Sequence, residues 1–133
     1  MKSFHTNAFT LVILLLLAFT SLQAQTKPPI FSHAEKVAEF PGGAQALETY
    51  LAENINYLER AKTYNIQGMV FLSFIVNKDG SVEQVKVVRG IGGGCDEEAI
   101  RVLENSPKWI PAEHEGKTVR MRMTQPVYFK LPK

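Results

Sequence analysis

The sequence predicts an α+β domain whose core is a three-stranded antiparallel or mixed sheet in the order second–first–third strand. A helix joins the second and third strands, and two short helices precede the first. Three observations carry this. Met69–Lys78 is apolar on both faces: Val70, Leu72, Phe74 and Val76 on one, Met69, Phe71 and Ile75 on the other. A strand buried on both sides belongs in the middle of its sheet. Asn77-Lys78-Asp79-Gly80 is a hairpin turn leading into Val82–Arg89, with Gly80 free to take a positive φ. Val119–Leu131 alternates with period two and carries Pro126, which cannot donate to a ladder and so places this strand at an edge. A chain of 133 residues, 45% hydrophobic, is long enough for one such domain and its core.

The chain opens with a targeting segment. Lys2 gives a positive start, Leu11–Phe19 an apolar run, and Ala24 a small residue for cleavage before Gln25. That is the layout of a signal peptide over residues 1–24. The alternative is an uncleaved inner-membrane anchor facing the periplasm. Ala8–Leu22 would span only ~22 Å as a helix against a ~30 Å hydrocarbon core. Residues 25–39 are polar with Pro28-Pro29 and read as a linker reaching ~50 Å at most. The domain proper is expected over 40–133.

Within it, Phe40-Pro41-Gly42-Gly43 launches a helix over Ala44–Asn54, with Ala44, Leu47, Tyr50, Leu51 and Ile55 at helical spacing. A second short helix covers Leu58–Tyr64, with Ala61 and Tyr64 facing in. After the hairpin, the glycine-rich Gly90–Gly94 connects to a helix from Asp96 to Asn105. Cys95 is placed to cap that helix, with Glu98 at its third position. Ala99, Ile100, Val102 and Leu103 form its buried stripe, and Pro107 ends it. Trp109 and Ile110 are expected to tuck the exit loop onto the core. In the last strand Val119, Met121, Met123, Gln125, Val127, Phe129 and Leu131 share the core face.

Several function classes fall away. The 15 basic and 13 acidic residues nearly cancel, which gives no electrostatic case for nucleic acid. Cys95 is alone, and His5, His33 and His114 are scattered, so no disulfide or zinc cluster arises from spacing. Asp96, Glu97 and Glu98 fill the first turn after the glycines, where they would repel a phosphate. A Cys95 nucleophile would need a positioned base, and His114 sits in a polar loop. Met121 and Met123 read as packing and not as a soft-metal site. The expectation is a binding domain with no catalytic residues, no metal and no cofactor.

An ordered set of motifs carries a resemblance over Glu39–Leu131. The set is Phe40-Pro41-Gly42-Gly43; Ala61 with Ile66-Gln67-Gly68; Lys78-Asp79-Gly80-Ser81-Val82; Val85-Lys86-Val87-Val88-Arg89-Gly90; Asp96-Glu97-Glu98-Ala99; Pro107-Lys108-Trp109-Ile110-Pro111-Ala112; and Gly116-Lys117-Thr118-Val119. In this order the chain resembles the C-terminal domain of the TonB family of energy transducers. One departure is Leu58, where the family often has proline after the tyrosine. The other is the short linker, where the family has a membrane helix and a long proline-rich spacer.

The resemblance implies a periplasmic module that grips extended segments of TonB-dependent outer-membrane receptors by strand addition, in the service of transmembrane transport. An exposed edge with free N–H and C=O groups suits that mode. The positions expected to bind are Val119, Arg120, Met121, Arg122, Met123, Thr124, Gln125, Val127 and Tyr128. Main-chain groups there would supply affinity, and Arg120, Arg122, Thr124 and Tyr128 would bias partner choice. The short spacer implies a stand-alone docking domain. The alternative is a domain that binds another envelope component, or pairs with a second copy through the last strand, with no receptor-energising role.

Overall fold

A computed structural model describes residues 27–131. The expected signal peptide lies outside the described residues. Among those residues, no helix is long and apolar enough to cross a membrane. The elements in chain order are β1 (Ile30–Phe31), α1 (Gly43–Asn54), α2 (Glu59–Thr63), β2 (Gly68–Val76), β3 (Val82–Arg89), α3 (Cys95–Glu104), β4 (Ala112–His114) and β5 (Lys117–Phe129). The sheet runs β1-β5-β2-β3, and β4 also pairs with β5. The predicted order is its centre, β3-β2-β5. Strands β1 and β4 are additions to the expected three. They are two and three residues long, too short for any alternation to register in the sequence.

The central strand is β2. Val70, Leu72, Phe74 and Val76 are fully buried on the helix side, and Ile75 is fully buried on the other. Its register with β5 is unbroken from Gly68↔Phe129 to Val76↔Met121. Its register with β3 shifts twice. Gln84 takes a positive φ of 51° there, as a bulged residue does. Helix α3 lays Ala99, Val102 and Leu103 on the sheet, all 0% exposed, and α1 adds Leu47 and Leu51. Trp109 closes the core against Phe40 and Phe74, at ring separations of 5.5 and 5.2 Å. Its backbone N–H donates to the Gly80 carbonyl at 2.8 Å, tying the exit of α3 to the β2–β3 turn.

Four local expectations are corrected. Residues 28–39, which their composition describes as a linker, lie along the sheet. Lys36 and Glu113 exchange backbone hydrogen bonds at 3.0 and 2.9 Å, and Glu39 and Ile110 do so at 2.9 and 2.7 Å. A polar, proline-containing stretch is barred from helix, yet it pairs readily as extended chain. Tyr64 is 70% exposed and not turned in, because α2 ends at Thr63 and leaves it outside the helical repeat. Ile110 is 43% exposed, so only Trp109 of that pair enters the core. Cys95 is not the cap of α3: Gly94 occupies that position, and the thiol is buried with its pKa raised by burial and by Asp96 and Glu97.

The hairpin turn carries a pH dependence. The Asp79 carboxylate accepts from the Ser81 hydroxyl at 2.6 Å and the Ser81 N–H at 3.0 Å. The Ser81 hydroxyl, then its backbone N–H, hold the Asp79 pKa down to about 2. The Arg101 guanidinium and the Asn56 N–H likewise lower that of Glu98, against the opposing effect of burial. A carboxylate with a depressed native pKa stabilises the fold above its unfolded pKa and loses that contribution as pH falls through the native value. Stability is therefore expected to decline between about pH 4.5 and 2. Urea midpoints measured across that range test this. In Asp79→Asn the decline should be shallower, and an unchanged slope would exclude Asp79 as a source.

Candidate partner-binding site

Strand β5 has two long edges, and β2 fills one of them. The other is divided among three situations. Lys117, Thr118 and Val119 pair with His114, Glu113 and Ala112 of β4. Arg120 and Met121 pair in parallel with Ile30 and Phe31 of β1. From Arg122 to Phe129, no strand among the described residues pairs with this edge. Pro126 sits in the unbroken β2 ladder opposite Phe71. Having no N–H to give, it belongs where its nitrogen faces away from β2. Backbone groups two residues apart point to the same side of a strand, so those of Arg122, Thr124 and Tyr128 face the open edge.

An apolar groove of about 730 Å³ opens along the Phe129 end of this edge. One wall is Glu48, Leu51, Ala52 and Ile55 of α1 and its exit, with Tyr57; the other is formed by β5 and Met69 of β2. The Tyr57 ring stands edge-on to Phe129 at 5.9 Å. Its hydroxyl donates to the Ile66 carbonyl. Burial raises the Tyr57 pKa, so the hydroxyl stays protonated as that donor.

The segment carrying Ile55 and Tyr57 lies between α1 and α2 and is held from α3. Glu98 is 8% exposed and accepts the Asn56 N–H at 2.8 Å. Arg101 grips the same carboxylate, Nε to Oε2 at 2.9 Å, and donates through Nη2 to the Asn54 carbonyl at 2.9 Å. Glu98 thus pins a neighbouring loop and does not close a capping box on its own helix. Leu58 has its Cδ1 within 2.2 Å of where a Cβ on Gly94 would stand. The loop at the departure from proline is therefore fixed by packing and by Glu98.

The nine positions expected to bind are distributed unevenly. Val119, Met121 and Val127 are buried on the helix side, while Met123 and Gln125 are partly buried there. Arg122 and Thr124 are exposed on the opposite face, and Tyr128 is 60% exposed. Arg120, expected to face solvent and a partner, is only 6% exposed. It donates to Asn77 Oδ1 at 2.9 Å and the Pro28 carbonyl at 2.7 Å, and it pairs with Glu83. The expectation that pairing begins at Val119 thus meets an edge already taken by β4 and β1. Sequence reasoning missed the α1 wall. The signal present was Ala52, a small residue beside the Leu51–Ile55 end of the apolar stripe.

These features define a class: a small α+β domain with helices on one face of a mixed sheet and one edge strand left partly open beside a groove. The chain belongs to the family described as Gram-negative bacterial TonB protein C-terminal, which matches residues 53–131. The family's domains are periplasmic and non-catalytic. Among solved structures, the chain is similar to the Helicobacter pylori TonB-CTD, residues 194–285, in solution. The TM-score is 0.51 and the identity 23%, covering 67% of this chain and 94% of that one. A longer form of the same domain, residues 179–285, matches at 23% identity and a TM-score of 0.43, covering 69% and 89%. No curated protein matches the chain.

Proposed function

We propose that this chain is a periplasmic protein-binding module that takes up an extended segment of an outer-membrane receptor as an added strand on β5. The observation that carries this reading is the edge Arg122–Phe129, unpaired among the described residues and lying beside the α1 groove. Unpaired backbone groups supply hydrogen bonds to any extended segment, and alternate side chains of that segment meet different surfaces. Those facing the helices enter the groove by Leu51, Ala52 and Ile55. Those facing the other way meet Arg122, Thr124 and Tyr128. Family membership makes the receptor the leading partner.

Thr124→Pro tests the mode of binding. The substitution removes an outward N–H and puts a ring in the path of an incoming strand. The Thr124 side chain is exposed, so the domain is expected to stay folded. Partner affinity should drop at least tenfold, about 1.4 kcal/mol. The measurement is photocrosslinking in living cells from a probe at Thr124, followed by mass spectrometry, and repeated from a probe at Arg122 in the proline variant. Receptor segments captured by the parent and lost in the variant support the reading. Undiminished capture by a folded Thr124→Pro chain would sink it. Capture of a second copy would assign the edge to self-pairing, and capture of soluble envelope proteins would remove the receptor from the proposal.

A further inference from the structure

The part of the β5 edge next to the open stretch is filled by the chain's own amino-terminal side. We propose that β1 is a resident strand, occupying a place on the docking edge that a partner strand can take. The inference rests on the strand-addition reading above and deepens it. It makes Arg120 and Met121 part of the interaction surface, available only after Pro28–Phe31 has left.

Four observations support it. First, β1 is short and parallel, pairing only Ile30↔Arg120 and Phe31↔Met121. Parallel pairing is the weaker kind per residue, and a strand this short has little stability of its own. Second, neither residue of β1 is fully buried: Ile30 is 37% exposed, and Phe31 is partly buried at the margin of the core, with its ring 5.4 Å from that of His114. Third, the chain behind it is anchored independently. The reciprocal bonds of Lys36 with Glu113 and Glu39 with Ile110, and the burial of Ala38 and Phe40, hold residues 36–40 in place. Release can therefore stop at Lys36, giving up the packing of Phe31 and Ala34 at the margin of the core while residues 36–40 stay bonded and buried. Fourth, Arg120 is a hinge point with redundant partners. When the Pro28 carbonyl leaves, its guanidinium keeps Asn77 and Glu83 and frees one nitrogen for a new carbonyl.

The geometry gives β1 a consequence for binding. While in place, it stops an added strand at Arg122, because both lie on the same side of β5. When it leaves, the edge lengthens continuously from Arg122 to Arg120. A partner segment long enough to use those positions competes directly with residues 28–31.

The test needs no identified partner. The probe is a dye-labelled synthetic peptide of residues 27–34, which carries the resident strand's sequence. Amide hydrogen exchange on the full chain should show residues 30–32 opening at least tenfold more often than Val70, Leu72 and Phe74. Phe31→Gly, which weakens the resident strand, should bind the probe at least tenfold more tightly than the parent. Ile30→Lys, at a more exposed position beside Arg120, is the second variant should Phe31→Gly fail to fold. Equal exchange in the two ladders, or equal probe binding by parent and folded variants, overturns the resident strand. Loss of the strand-addition reading would show separately, as absence of captured extended segments at Thr124.

Discussion

Gly80→Ala is expected to be the most destabilising single substitution in the hairpin region, costing about 3 kcal/mol or more. Two effects combine. Gly80 has φ +86°, a conformation that an L side chain adopts only with strain. A Cβ there would also stand 2.1 Å from the Trp109 carbonyl oxygen, which is backbone and cannot swing aside. Relief requires moving Trp109, and with it the 2.8 Å bond to the Gly80 carbonyl and the packing on Phe40 and Phe74. A domain of this size is stable by about 5–15 kcal/mol in total, so the loss is a large share. The urea midpoint should fall by about 1–3 M at ordinary m-values. Gly116→Ala is the control. It shares a positive φ, +73°, yet nothing lies within 4 Å of its Cβ, so only the strain of about 1–2 kcal/mol remains. Equal effects at the two sites would remove the Trp109 clash from the account.

Arg120→Ala is expected to cost about 3 kcal/mol. Removing one partner of a buried pair costs about 3–5 kcal/mol when the other charge is stranded. Here Glu83 keeps a 31% exposed side chain and can hydrate, which places the loss at the low end. The Asn77 amide oxygen and the Pro28 carbonyl lose a donor as well. Arg120→Lys should recover little, because an ammonium lacks the planar fork that reaches three acceptors at once. A double-mutant cycle with Glu83→Gln, read by urea unfolding, apportions the loss. Coupling near zero would mean that Arg120 acts through its hydrocarbon stem and not through the pair.

These two residues stand at opposite ends of what a sequence reading can reach. Gly80 was legible as a turn glycine from Asn77-Lys78-Asp79-Gly80 alone, since local turn chemistry is written within four residues. That its Cβ position is filled by Trp109 was not, because the contact joins segments far apart in the chain. Arg120 falls on the polar side of a clean alternation, and alternation assigns it to solvent. Its burial comes from Glu83, Asn77 and Pro28, brought together by the register of β5 with β2, β2 with β3, and β1 with β5. A period of two reports which face a side chain shares, and says nothing about what lies over that face.

The sequence by itself determined the α+β class, the central position of β2, the hairpin, the three helices and the order β3-β2-β5. It also placed Pro126 on a strand with a free side, because hydrophobic period, turn residues and a missing N–H are local properties. Only the tertiary structure decided how much of that side is free. The amino-terminal segment and β4 cover Lys117–Met121, and α1 forms a groove beside the remaining edge. The reason is physical: pairing in a sheet is chosen by long-range backbone hydrogen bonds, which every residue type except proline can both give and accept, so side-chain identity carries little record of which segment will fill an edge.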